Sequence, residues 1–164
     1  ADRIREIANK IRLQQPIEAA KMLQELLGIG LYLEMFRFAM ECEGKSDRWI
    51  LQRLGTDIVR SYDEDAWVRY LLELIGDKPF VVIDDVRFKN ELQYLKDRDY
   101  VTIWVNNVGR KERLIARDGY IDGLEHSSEL QLDETMFDYV IDNNNGLEDL
   151  YSQVDTIIGE SRCL

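Results

Sequence analysis

Acidic, guanidinium and carboxamide side chains sit directly behind apolar runs in this sequence, which is where chemistry on phosphate groups would be placed. Asp84, Asp85 and Arg87 follow the run Phe80-Val81-Val82-Ile83. A carboxylate immediately after a buried strand can hold a magnesium ion, directly or through water. A guanidinium two residues beyond Asp85 can fork a phosphate. The plainer use of the same residues is structural: Asp84 or Asp85 caps the following helix and Arg87 pairs with Glu91. Arg110, Arg113 and Arg117 lie at i, i+3 and i+7 and share one helix face. Three cations on one face need compensation, either from an anion delivered to a mobile lid or from Glu112, Asp118 and Glu125. His126-Ser127-Ser128-Glu129 reads as a helix start with a serine cap, or as a group of phosphate-oxygen partners. The turn Asp142-Asn143-Asn144-Asn145-Gly146 tolerates positive φ; it is either a cradle for a purine ring or a plain strand-to-helix connection.

The elements that must position these residues follow from periodicity. Ile4, Ile7, Ala8 and Ile11 fall at helical spacing, and Pro16 breaks or begins a segment. Apolar residues recur at three- and four-residue steps from Ile17 to about Glu43, interrupted at Gly28 and Gly30, which predicts two joined helices or one kinked helix. Ser46 is placed to cap a helix through Trp49, Leu51 and Leu54. Asp63 or Asp65 begins another, through Trp67, Val68, Leu71, Leu72 and Ile75 to Gly76. From Pro79 the pattern changes. The run 80–83 suits a strand of a parallel sheet covered on both faces, and a short helix follows through Glu91, Leu92 and Leu95. Further strands are expected over Tyr100 to Val105 and Phe137 to Ile141, with a helix over Gly109 to Asp118 between them. A last helix carries Leu147, Leu150, Tyr151, Val154, Ile157 and Ile158 on one core-facing stripe. Strand and helix alternate, so the second half predicts an α/β fold with a parallel sheet behind a helix-rich first half. In such sheets ligands bind beyond the carboxyl ends of the strands, and three polar clusters lie at those ends: Asp84, Asp85 and Arg87; Asn106 and Asn107 with the Arg helix after them; and Asp142 to Gly146.

The 164 residues suffice for one domain with a hydrophobic core. Apolar residues make up 45%, which argues against global disorder. The net charge of −11 disfavours a general nucleic-acid-binding surface, which needs a basic face; a small phosphorylated ligand needs only a few placed cations. Two cysteines, Cys42 and Cys163, form no metal-like spacing or disulfide framework and suit a reducing cytoplasm. One histidine rules out a multi-histidine metal site, and no apolar run reaches the length of a membrane span.

Leu51-Gln52-Arg53-Leu54-Gly55-Thr56-Asp57, then Arg60 and Asp65-Ala66-Trp67, is similar to the monophosphate-binding region of phage deoxynucleoside monophosphate kinases. Asp85-Val86-Arg87-Phe88-Lys89-Asn90-Glu91 resembles the most distinctive motif of that family. His126-Ser127-Ser128-Glu129 resembles its lid signature, and Asp138 with Ile141-Asp142-Asn143 resembles its strand leading to the adenine loop. The resemblance implies a P-loop kinase-like three-layer α/β/α fold as a single domain over 1–164. Its helical monophosphate-binding region would span about 17–76, and an Arg-containing lid about 108–133. It implies ATP with Mg2+ as phosphoryl donor and a deoxynucleoside monophosphate as acceptor, in the cytoplasm of a host cell.

Carried across, the resemblance makes Gln52, Thr56, Arg60, Trp67, Arg87, Glu91, His126 and Glu129 acceptor-side residues. Asp85 would serve the metal or the acceptor phosphate, with Asp84 beside it for the metal; Arg113 and Arg117 would be lid arginines, and Asn143, Asn144 and Gly146 would border adenine. The sequence departs from the family in one respect: no Gly-x-x-x-x-Gly-Lys-Ser/Thr occurs. The expectation is that about 20–40 residues, the scale of a βαβ unit, precede Ala1 and carry that loop with a first, central strand. Two other readings stay open: another small-molecule P-loop kinase (acting on dephospho-coenzyme A or a nucleoside), and a non-catalytic, kinase-derived binding protein. The helices between Ile17 and Glu43 offer apolar surface for a homodimer, which core burial explains equally.

Overall fold

Helical periodicity governs nearly the whole first half of the chain, and the computed structural model forms helices there. It describes residues 2–118 and 131–161 and divides into two units, Ala1–Val86 and Arg87–Leu164.

In the first unit α1 (Asp2–Arg12) buries Ile7, Ala8 and Ile11. Pro16 opens α2 (Pro16–Leu27), where a missing N–H costs nothing. Gly28 ends it in the left-handed conformation at φ 72°, its N–H reaching the Gln24 carbonyl at 2.8 Å. The sequence leaves open two helices or a kinked one, and this cap decides for two: α3 (Tyr32–Glu41) starts afresh and buries Met35, Phe38 and Ala39. Ser46 caps α4 (Asp47–Gln52) as expected, its Oγ accepting the Trp49 N–H at 3.2 Å. The chain then winds as a π-helix over Arg53–Val59, tightens into α5 (Arg60–Tyr62), and enters α6 (Ala66–Ile75), which Gly76 ends. Asp63 organises that entry, accepting the Asp65 N–H at 3.1 Å and a two-pronged ion pair from Arg69. Ile7, Ile11, Leu23, Met35, Phe38, Ile50, Leu54 and Val59 form the fully buried centre, and Phe38 stacks on Trp49 with ring centroids 6.2 Å apart.

The second unit contains α7 (Lys89–Lys96), β1 (Ile103–Asn106), α8 (Arg110–Asp118), a 3-10 turn (Glu134–Met136), β2 (Tyr139–Asp142) and α9 (Leu147–Ser161). The two strands pair in parallel, from Ile103 opposite Tyr139 to Asn106 opposite Asp142. Asp138 ties their starts: its Oδ2 accepts the Thr102 N–H at 2.9 Å and the Thr102 hydroxyl at 2.6 Å, and Lys96 Nζ lies 3.0 Å from Oδ1. Because the strands are parallel, this clamp at their starts sets Asn106 and Asp142 side by side at their carboxyl ends.

Two expectations need correction. The run 80–83 is not a strand: no described residue forms a ladder with it, and Phe80 and Val82 are 85% and 93% exposed. Apolar content makes a segment suited to a sheet, but a strand also needs a hydrogen-bonding neighbour. Among the described residues the sheet therefore has two strands rather than three. On α9 the core stripe is also narrower than six residues. Ile157 is buried and Leu150 and Val154 partly so, while Leu147, Tyr151 and Ile158 are exposed, because a small sheet covers only part of a helix face. No described helix is long and apolar enough to cross a membrane.

Candidate functional site

Three of the residues expected on the acceptor side, Gln52, Thr56 and Arg60, sit on one winding. Gln52 ends α4, Thr56 lies in the π-helical segment, and Arg60 follows it. The three are four residues apart. An i→i+5 winding turns less per residue than an α-helix, so residues at this spacing come closer to eclipsed, along one side of the cylinder. Arg60 Nη1 donates to the Glu64 carbonyl at 2.6 Å, which holds its stem against the following turn. Trp67, on α6, packs against the core and donates its indole N–H to the Gly55 carbonyl at 2.9 Å.

Asp84 and Asp85 stand exposed in the extended stretch that closes the first unit. Among the described residues no group of three or more His, Cys, Asp or Glu side chains could hold a metal. An adjacent carboxylate pair nonetheless suits magnesium, which takes one or two carboxylates and completes its shell with water and phosphate oxygens.

Arg87 opens the second unit with an exposed side chain. Neither aspartate occupies the N-cap position of α7. Phe88 occupies the cap position, and Glu91 Oε2 accepts the Phe88 N–H at 3.2 Å and the Arg87 N–H at 3.1 Å. Phenylalanine has no side-chain oxygen to offer, and the carboxylate at the third helical position reaches back to the cap. Glu91 is buried by this role, and it holds the backbone of Arg87.

At the carboxyl ends of β1 and β2 the side chains knit two loops together. Asn107 Nδ2 donates to the Asn143 carbonyl at 3.2 Å, and the Val108 N–H donates to Asn144 Oδ1 at 3.0 Å. Arg113 folds back from α8, donating through Nη1 to the Val108 carbonyl at 2.7 Å and through Nη2 to Asn107 Oδ1. Gly109 makes that return possible: at φ 70° it turns the chain, and a Cβ there would come 3.2 Å from Arg113 Nη1. Arg113 thus spends its guanidinium on the loop that leads into α8. Asn144 Nδ2 also donates to Asp142 Oδ1, and Gly146 closes the turn at φ 104°. Arg117 is exposed on α8. His126 and Glu129 lie outside the described residues.

Asn107 was visible in sequence only as a polar residue after a strand; its role depends on a partner 36 residues away. The π winding was missed too, although Gly55 inside a helical stretch was the available signal, since a glycine there has a packing reason. The knit is testable. Asn107→Ala and Arg113→Ala should be non-additive in thermal unfolding by about 0.5 kcal/mol or more, as residues sharing one network are. Strict additivity would show that the two side chains do not act together.

A family model, deoxynucleotide monophosphate kinase, matches residues 7–154. The chain belongs to that family. The deoxynucleotide monophosphate kinase match takes in every described site residue of both units. Among relatives, a mimivirus protein (Acanthamoeba polyphaga mimivirus) that bears the name deoxynucleotide monophosphate kinase provisionally is 30% identical over 135 residues, covering 68% of this chain and 64% of its own. The deoxynucleotide monophosphate kinase of Escherichia phage RB69 is 28% identical over 156 residues, covering 87% of this chain and 60% of its own. The chain therefore spans about three fifths of the length of these relatives. No solved structure matches.

Proposed function

We propose that this protein transfers a phosphoryl group from ATP to a deoxynucleoside monophosphate, giving the diphosphate. The observation that carries the reading is the family match over 7–154, which contains Gln52, Thr56, Arg60, Asp85, Arg87 and the knit strand ends alike. The fold this reading implies is a P-loop kinase-like α/β/α domain with an arginine lid over about 108–133. Reactions of this class depend on positioning and charge neutralisation more than on a strong base.

On the acceptor side, Arg60 and Arg87 supply guanidinium groups for the monophosphate, and Gln52 and Thr56 supply hydrogen-bonding groups for the nucleoside. His126 and Glu129 belong to the same side. On the donor side, the loop of Asn143, Asn144 and Gly146 borders the adenine, held at its angle by Asn107. Arg117, with Arg113 after release from Asn107, neutralises charge that develops on the transferring group. Bound magnesium would offset charge on the donor phosphate oxygens; Asp85, with Asp84 beside it, would hold it.

The test is an assay of the intact gene product with ATP, Mg2+ and a panel of deoxynucleoside monophosphates, with dephospho-coenzyme A as the control acceptor. Diphosphate should form from at least one deoxynucleotide and not from the control. Failure with every deoxynucleotide would overturn the reading. In the active protein, Arg87→Ala should lower kcat/KM at least tenfold, about 1.4 kcal/mol of transition-state stabilisation. Unchanged kinetics would remove Arg87 from the site.

A further inference from the structure

The π-helical segment Arg53–Val59 needs a cause, because this winding is rare and appears mostly as single turns at functional positions. Two contacts on its inner side supply one. Gly55 is buried, and a Cβ there would come within 2.3 Å of Ile4 Cδ1, so a side chain there would have to push the Ile4 side chain aside. The Trp67 indole N–H reaches the Gly55 carbonyl at 2.9 Å from α6. A change of winding shifts the amide that each carbonyl meets, and a donor from another helix fixes the shifted carbonyl in place. The indole nitrogen is the only polar atom of Trp67, and it is spent on this bond. The ring is packed against the core that includes Leu54 and Ala66.

We infer that Trp67 is a positioning residue for the acceptor monophosphate: through its N–H to Gly55 it holds the π winding that lines up Gln52, Thr56 and Arg60. The role rests on the acceptor assignment proposed above and changes what Trp67 does within it. The family resemblance put Trp67 among the acceptor-side residues. Here the ring packs inside the helical unit and acts on the substrate through the backbone of its neighbour.

The two roles differ in which part of the side chain is needed. In the intact gene product, Trp67 is replaced by 3-benzothienylalanine, which keeps the bicyclic ring and substitutes sulfur for the N–H; Trp67→Phe and Trp67→Ala are made beside it. Loss of one hydrogen bond predicts a rise of about five- to tenfold in the KM for the deoxynucleotide with the benzothienyl side chain. Trp67→Phe should show at least the same rise, while the KM for ATP changes less than twofold. Amide exchange over 55–60 should quicken in parallel. If the benzothienyl variant keeps the wild-type KM while Trp67→Ala does not, the ring and not the N–H is what matters, and the inference falls. Exchange is independent of catalysis. An inactive wild-type protein would sink the kinase reading, while exchange unchanged by the benzothienyl substitution would sink the positioning role by itself.

Discussion

Phe38→Ala should lower the stability of the helical unit by about 3–5 kcal/mol, the range for emptying an aromatic site in a packed core. Phe38 is 2% exposed and lies among Met35, Leu54 and the other fully buried side chains, stacked on Trp49. Truncation forfeits the transfer energy of the ring and leaves a cavity that short helices around it can close only in part. Chemical denaturation followed by tryptophan fluorescence reads the loss, because Trp49, stacked on Phe38, and Trp67, packed against the same core, both report on this unit. A change below about 1 kcal/mol would mean that the core repacks freely at this point, and that the helices around it are not held in one arrangement.

Asp138→Ala should cost the second unit about 1–3 kcal/mol, the penalty for leaving buried polar groups without a partner. Thr102 is 7% exposed, and its N–H and hydroxyl both end on Asp138. The same carboxylate predicts a pH dependence. Burial alone would push its pKa up, but the Thr102 hydroxyl, the Lys96 ammonium and the Thr102 N–H outweigh it, and the net shift is below the ordinary 3.8. A carboxyl depressed in the folded state binds its proton less readily than in the unfolded chain. Its contribution is therefore fully present above the unfolded value and is lost as the pH falls through 3.8 toward the lower, folded value. Asp138→Asn should flatten the acid limb of the stability curve below about pH 5. An acid limb of the same slope as the parent would show that Asp138 does not govern it. Because β1 and β2 are clamped at their starts, the loss should reach their carboxyl ends, where Asn107 and Asn143 meet.

Local chemistry in the sequence was enough for most of the elements. Ser46 capped its helix, Pro16 began one, and Gly28 and Gly76 ended two, because each of these acts within a turn of its own position. The strands at Ile103–Asn106 and Tyr139–Asp142 were also legible, being apolar runs closed by polar residues. The run 80–83 had the same composition and formed no strand, because pairing is supplied by another segment and is invisible in the run itself. The candidate site divides in the same way. Residue types and order pointed to the family, which the family match bears out, and they nominated Gln52, Thr56, Arg60, Arg87, Asn143 and Asn144 as candidates with chemistry to offer.

Tertiary structure decided what several of the others are bonded to. Glu91 turned inward to cap its own helix, Arg113 folded back onto Asn107, and Trp67 gave its N–H to Gly55. Each has a long side chain with strong hydrogen-bonding groups. Where such a group ends depends on the nearest donor or acceptor in space, and spacing along the chain does not record that distance.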